Sequence, residues 1–152
     1  MLHNNQRHLR LRPPVLRKLA KSLVVRAFPP EDGPAPFSNL ALVLTDDVGM
    51  PEYKERCFGQ RIQTDVISLS YAAIPGVCPS TAEIILNVER AAQEGAHRAG
   101  GVERELALYL AHGIDHLAGH EDDTPSRRRT MRRRETAWLD AAPAAYAGLV
   151  AS

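Results

Sequence analysis

The run Thr64–Glu89, "TDVISLSYAAIPGVCPSTAEIILNVE", decides the fold class. Its two ends, "TDVISLSY" and "AEIILNVE", are short and rich in β-branched residues, the composition of strands. The Pro/Gly loop "AAIPGVCPS" between them favours an antiparallel pair. Working outward, "NLALVLTDD" at 39–47 is an apolar run fit for a buried strand, and "RHLRLR" at 7–12 alternates weakly as a short edge strand. Helical spacing fills the rest. "VLRKLAKSLVVRAF" sets Leu16, Leu19, Leu23 and Val24 on one face between Pro13–Pro14 and Pro29–Pro30, and "PPEDGPAP" follows as a loop. A polar helix near Val48–Phe58 stops at Gly59. Further helices are expected over about Glu89–Ala99, Val102–Leu117 and Ser126–Leu139, the last with Ser126 as its N-cap. Strands mixed with helices, and a helical C-terminal half, predict an α+β fold: a small mixed sheet of about four strands covered by helices.

Composition narrows the class without naming an activity. With 152 residues, 44% apolar and 24% charged, the chain fits one globular domain over 1–152. No apolar run approaches the ~18 residues that span a bilayer, so no membrane partner is expected. The start has no apolar segment for secretion, although its Arg-rich, acid-free character also suits an organellar transit peptide. Cys57 and Cys78 form no C-x-x-C pair and read as free thiols of a reducing cytoplasm.

The net charge of +1 hides segregation. Residues 1–30 hold seven Lys or Arg and no acid, residues 31–123 hold six against sixteen acids, and residues 124–152 hold six Arg against Glu135 and Asp140. Basic surface beside an acidic cleft suits a polyanion partner and a cation site. Solvated faces with no ligand would show the same pattern.

On the helix expected over 102–117, Leu106, Leu110, Ile114 and Leu117 share the arc that faces a core. His112 and His116 lie opposite, flanked by Glu105, Tyr109 and Asp115. Their i,i+4 spacing stacks two imidazoles closely enough to hold one metal ion. A tetrahedral zinc needs a third protein ligand from another direction, and Gly119 can turn the chain so that "HEDD" returns. His120 cannot extend the helical row, because eight residues place it about 12 Å from His112. His120, Glu121, Asp122 and Asp123 are the candidates on that loop.

The stretch "HGIDHLAGHED" resembles the H-G-x-L-H-L-x-G-Y-D-H signature of the YbeY family, metal-dependent endoribonucleases of ribosomal RNA maturation. "LALVLTDD", "GQRIQTDVISL", "AEIILNVERAAQEG" and "TMRRRETAWL" extend the resemblance over about Asn39 to Leu139. Position by position, it implies His112, His116 and Asp122 as metal ligands, with His120 next in rank for the third. Asp122 departs from the family's usual histidine and leaves the site one charge less positive, though a carboxylate also binds zinc. Phe58 stands where the family carries an arginine, with Arg56 and Arg61 nearby as substitutes. Asp115 replaces an apolar residue, either as an acceptor orienting His112 or as an exposed charge, and Ala82–Glu83 replaces Gly-Asp.

The implied cofactor is one Zn2+ whose open fourth position takes a water; no catalytic side chain beyond that is read. The spacing H-x-x-x-H-x-x-G-x-x-D is also metzincin-like, but the glutamate such proteases carry after the first histidine is Gly113 here. RNA cleavage can instead use the substrate's own 2′-hydroxyl. "SRRRTMRRRE" then supplies Arg127, Arg128 and Arg132, which with Arg56, Arg61 and the basic N-terminal residues suit an RNA backbone. Met131 and Trp138 read as core contacts. The expectation is a cytoplasmic, zinc-dependent, single-strand-specific endoribonuclease in ribosomal RNA processing and ribosome quality control, partnered by the small ribosomal subunit. The alternatives are an RNA-binding assembly factor with a structural metal, or a zincin-like protease.

Overall fold

The computed structural model of the chain describes residues 1–151. Four strands, β1 (Leu2–Asn4), β2 (Asn39–Thr45), β3 (Val66–Tyr71) and β4 (Thr81–Asn87), form one mixed sheet in the order β1-β2-β4-β3. β1 and β4 flank β2 in parallel, whereas β3 pairs antiparallel with β4, in the register Val66↔Leu86 to Tyr71↔Thr81. The expected α+β class and the antiparallel β3–β4 pair are what the sheet shows.

The apolar runs are continuous because the sheet is covered on both faces. Leu42, Leu44, Ile84 and Leu86 belong to the main core. Val43, Ile85 and Ile67 turn the other way, onto Met50 of α2 (Gly49–Phe58). The main core is completed by α1 (Pro13–Ala27), α3 (Val88–Gly95), α4 (Gly101–Leu117) and α5 (Pro125–Ala141). α1 starts two residues earlier than its apolar pattern, since Pro13 and Pro14 occupy first-turn positions where no N–H is needed. It buries Leu16, Leu19, Ala20 and Leu23.

Two sequence expectations are corrected. "RHLRLR" is not a strand: the edge position is taken by β1, upstream of it, and residues after Asn4 wrap around the amide of Gln6. That buried side chain accepts from the His8 and Leu9 N–H groups and donates to Leu9 O, so the segment satisfies its polar groups locally instead of in a ladder. Among the described residues only Leu11 of this segment makes a bridge, to Val150. The cap of α5 is Thr124, not Ser126: the Thr124 hydroxyl accepts from Arg127 N at 3.1 Å, and Pro125 then fills the first helical position.

Candidate metal centre

α4 is the element that joins core to site. One side of it packs Leu106, Leu110 and Ile114 into the core, as its apolar spacing requires. The opposite side is not open water: Glu105, Tyr109 and Asp115 are buried there as well, Glu105 against Arg98 and Asp115 against Arg134 of α5. His112 and His116 remain half-buried at the rim, with side chains 27% and 30% exposed. After α4, Gly119 takes φ +93°, a left-handed turn that a side chain would resist, and the chain returns over the histidines.

That return brings Asp122 to the pair. His112 Nε2 and His116 Nε2 lie 3.1 Å apart, and Asp122 Oδ2 is 3.2 Å from the first and 3.7 Å from the second. A tetrahedral ion with arms of about 2.0–2.1 Å has ligand–ligand edges of about 3.3 Å, so this triangle has the size of one face. His120, the second-ranked ligand, is elsewhere: its Nδ1 sits 2.8 Å from Asp115 Oδ1.

The hydrogen bonds behind the rings explain why these three atoms call for a cation. His116 Nδ1 lies 3.0 Å from the carbonyl oxygen of His120, which can only accept, so the proton is on Nδ1. His112 Nδ1 donates to Glu135 Oε2 at 2.9 Å. When both rings are neutral, their Nε2 atoms therefore present lone pairs toward each other and toward a carboxylate oxygen. Three acceptors converge with no donor among them, and a divalent cation satisfies all three.

Glu135 is the residue that sequence reasoning missed. It lies buried in α5, its Oε2 2.9 Å from His112 Nδ1. Asp115 takes neither of its two expected roles. It is fully buried, neither exposed nor bonded to His112, because Arg134 Nε (3.0 Å) and His120 Nδ1 (2.8 Å) both reach its Oδ1 from the segments that cover α4. Burial alone would lower the His112 pKa, but the hydrogen bond and charge of Glu135, reinforced by Asp122, outweigh it and hold the ring above the ordinary value of 6.5. Burial pushes Glu135 up, His112 pulls it back, and the adjacent Asp115 carboxyl adds to the rise. Asp115 Oδ2 has no partner among the described residues.

Beside the histidines opens a cleft of about 380 Å³. His112, Asp122, Glu135, Arg128 and Arg132 line it, together with Arg90 and Arg98, which the sequence did not single out. Arg98 is held by Glu105 at 2.8 Å and Arg90 by Asp65 at 3.5 Å, whereas Arg128 and Arg132 face no carboxylate partner among the described residues. The other candidate arginines stand outside the lining. Arg127 is paired with Asp123 (2.9 Å) and Glu121 (3.4 Å), Arg61 with Glu55 (3.5 Å), and Arg56 stacks on the Tyr53 ring. Phe58 is exposed under Lys54 Nζ.

At Gly113 a Cβ would meet Ile84 Cγ2 at 3.0 Å, Val66 Cγ2 at 3.1 Å and Ser68 Oγ at 3.2 Å. The Ser68 hydroxyl donates to Gly113 O at 2.7 Å, drawing α4 against the sheet. At the position where a zincin protease carries its general base, this chain has a glycine packed against the sheet and no carboxylate.

Fold and geometry together define an α+β protein with a candidate metal centre, His112, His116 and Asp122, at the mouth of an arginine-flanked cleft. The chain belongs to the YbeY family: the family model described as Endoribonuclease YbeY matches residues 1–142. Among curated relatives, the Endoribonuclease YbeY of a Chelativorans species is 31% identical over 124 residues, 80% of this chain and 76% of that protein. That of an Anaeromyxobacter species is 29% identical over 98 residues, 64% of this chain but only about half (51%) of that protein's length. The solution structure of TM1509 from Thermotoga maritima shares the fold, with a TM-score of 0.53 at 18% identity over 95% of this chain and 93% of that one.

Proposed function

We propose that this chain, as one domain, is a metal-dependent endoribonuclease that cuts single-stranded segments of ribosomal RNA during maturation and quality control, working in the cytoplasm at the small ribosomal subunit. Endoribonuclease activity follows from membership of the YbeY family. The observation that carries the metal assignment is the convergence of His112 Nε2, His116 Nε2 and Asp122 Oδ2 with no donor between them. Zinc suits a set of two imidazoles and one carboxylate. Bound there, it supplies positive charge where a phosphodiester develops negative charge. Glu135 fixes the tautomer that turns Nε2 of His112 toward the cation. Arg128 and Arg132, with no carboxylate to satisfy, are placed to hold the phosphates of a strand lying in the cleft. The free thiols Cys57 and Cys78 suit a reducing compartment, and no helix among the described residues is long and apolar enough to cross a membrane.

Metal content and RNA cleavage of the wild type and His116→Ala, purified side by side, test the assignment. Loss of both in the variant is the expected result. Equal cleavage by the two proteins would place the activity in a contaminant. RNA binding without metal-dependent cutting would instead favour an assembly factor with a structural metal.

A further inference from the structure

The arginines of α5 divide into two groups. Arg127 and Arg134 are paired with carboxylates, whereas Arg128, Arg129, Arg132 and Arg133 have none among the described residues. These four are exposed, and together they line one shallow surface. Arg128 and Arg132 also line the metal cleft, so basic surface runs unbroken from the cleft over the ridge of the helix.

Local physics opposes this arrangement. The four positions stand at i, i+1, i+4 and i+5, where like charges repel across a helix surface. They also occupy the N-terminal half of α5, whose first turn contains no acid to offset the positive end of the helix dipole. A helix built against its own electrostatics is relieved by an anion, and a row of guanidinium groups matches phosphate oxygens. No aromatic ring lies on the face. Trp138, the one aromatic residue of α5, packs against the core, and the exposed Phe58 and Tyr71 sit on α2 and β3. Unpaired bases are taken by stacking on aromatic rings, so a ridge of guanidiniums alone reads backbone.

We infer that the Arg128–Arg129–Arg132–Arg133 face of α5 docks the phosphate backbone of base-paired RNA flanking the single-stranded segment held in the cleft, an inference that rests on the endoribonuclease assignment above. The duplex partner presents phosphates on a regular surface, and the exposed ridge meets them without entering a groove.

Binding is measured on the full chain in a His116→Ala background, so that no cutting intrudes. Two probes are compared: an RNA hairpin with a single-stranded tail, and the tail alone. Arg129→Ala/Arg133→Ala alters only residues outside the cleft lining. Hairpin binding is expected to weaken about 10-fold and its salt slope to fall by about two, while tail binding stays within about two-fold. Arg129→Lys/Arg133→Lys, which keeps the charge, is expected to restore most of the affinity. Equal weakening on both RNAs, or no change on either, would overturn the inference. So would anionic phosphatidylserine vesicles or polyglutamate that bind the wild-type face more tightly than the hairpin does. Since cutting is never read, the result stands apart from the cleavage test, and a chain that cuts but fails here refutes the surface alone.

Discussion

Glu135 touches solvent hardly at all, yet its contact with Nδ1 leaves Nε2 of His112 facing the proposed cation site. Glu135→Gln keeps its size and removes its charge. Metal affinity is expected to fall about 10–100-fold, read by competition with a chromophoric chelator, whereas unchanged affinity would deny the orienting role. The same contact fixes the pH dependence. His112 titrates above its ordinary 6.5, so its charged form stabilises the metal-free fold fully below the unfolded value, and that stabilisation is lost as pH rises through the folded pKa. Metal must displace that proton, so apparent affinity rises over the same window, and stability and affinity slope in opposite directions. The convergence of His112, His116 and Asp122 was legible because the i,i+4 spacing and the turn at Gly119 are local. Glu135 was not, since it follows a run of arginines that reads as a solvated face. One signal was available: Met131, Glu135 and Leu139 recur every four residues as the buried stripe of α5, and a carboxylate inside an apolar stripe requires a partner.

At the scale of elements, close approaches set where α4 sits. A Cβ at Gly95 in α3 would lie 2.6 Å from Val102 Cα and 3.0 Å from Gly101 O, both backbone, so the two helices would have to part. Gly113 is crowded at 3.0–3.2 Å, but by the tips of Ile84, Val66 and Ser68, which can yield. Gly95→Ala is therefore expected to destabilise by about 1–3 kcal/mol even after a helix-propensity gain of about 1 kcal/mol, and Gly113→Ala by less. Denaturant midpoints of the two variants check the order, and a larger loss at Gly113 would contradict it. The long elements were legible because strands buried on both faces read as apolar runs, and α1 and α4 carry a regular stripe. β1 was not: Leu2–Asn4 is too short to show a period, and the exposed edge of β2 recruits it. The N-cap was displaced by two residues because Thr124 and Ser126 are both competent caps, and the placement of Pro125 at the first helical position selects the former.

Across the whole molecule, the charge segregation in the sequence turned out to serve more than one purpose. Arg12, part of the basic N-terminal block, donates to Gly148 O at 2.8 Å and Val150 O at 3.2 Å, and Ala151 N donates to Arg10 O at 2.8 Å. These bonds tie the two ends together and seat Leu149 in the core that α4 shares. One helix thus carries the main core on one side and the proposed ligand pair on the other, so a metal bound there would add to the stability that the core supplies. Thermal unfolding with metal and with chelator separates the two. At a free metal concentration about 100 times its Kd, wild type is expected to gain about 2.7 kcal/mol, roughly 5–10 °C for a chain of this size. Leu149→Ala should lower both melting curves, by about 2–5 kcal/mol, and leave the metal-dependent increment in place, because Leu149 is not among the residues lining the cleft. His116→Ala should do the reverse, erasing the increment with little change in the chelated protein. An increment that survives His116→Ala would rule out this ligand set, and one that collapses in Leu149→Ala would show the two sides of α4 to be energetically coupled.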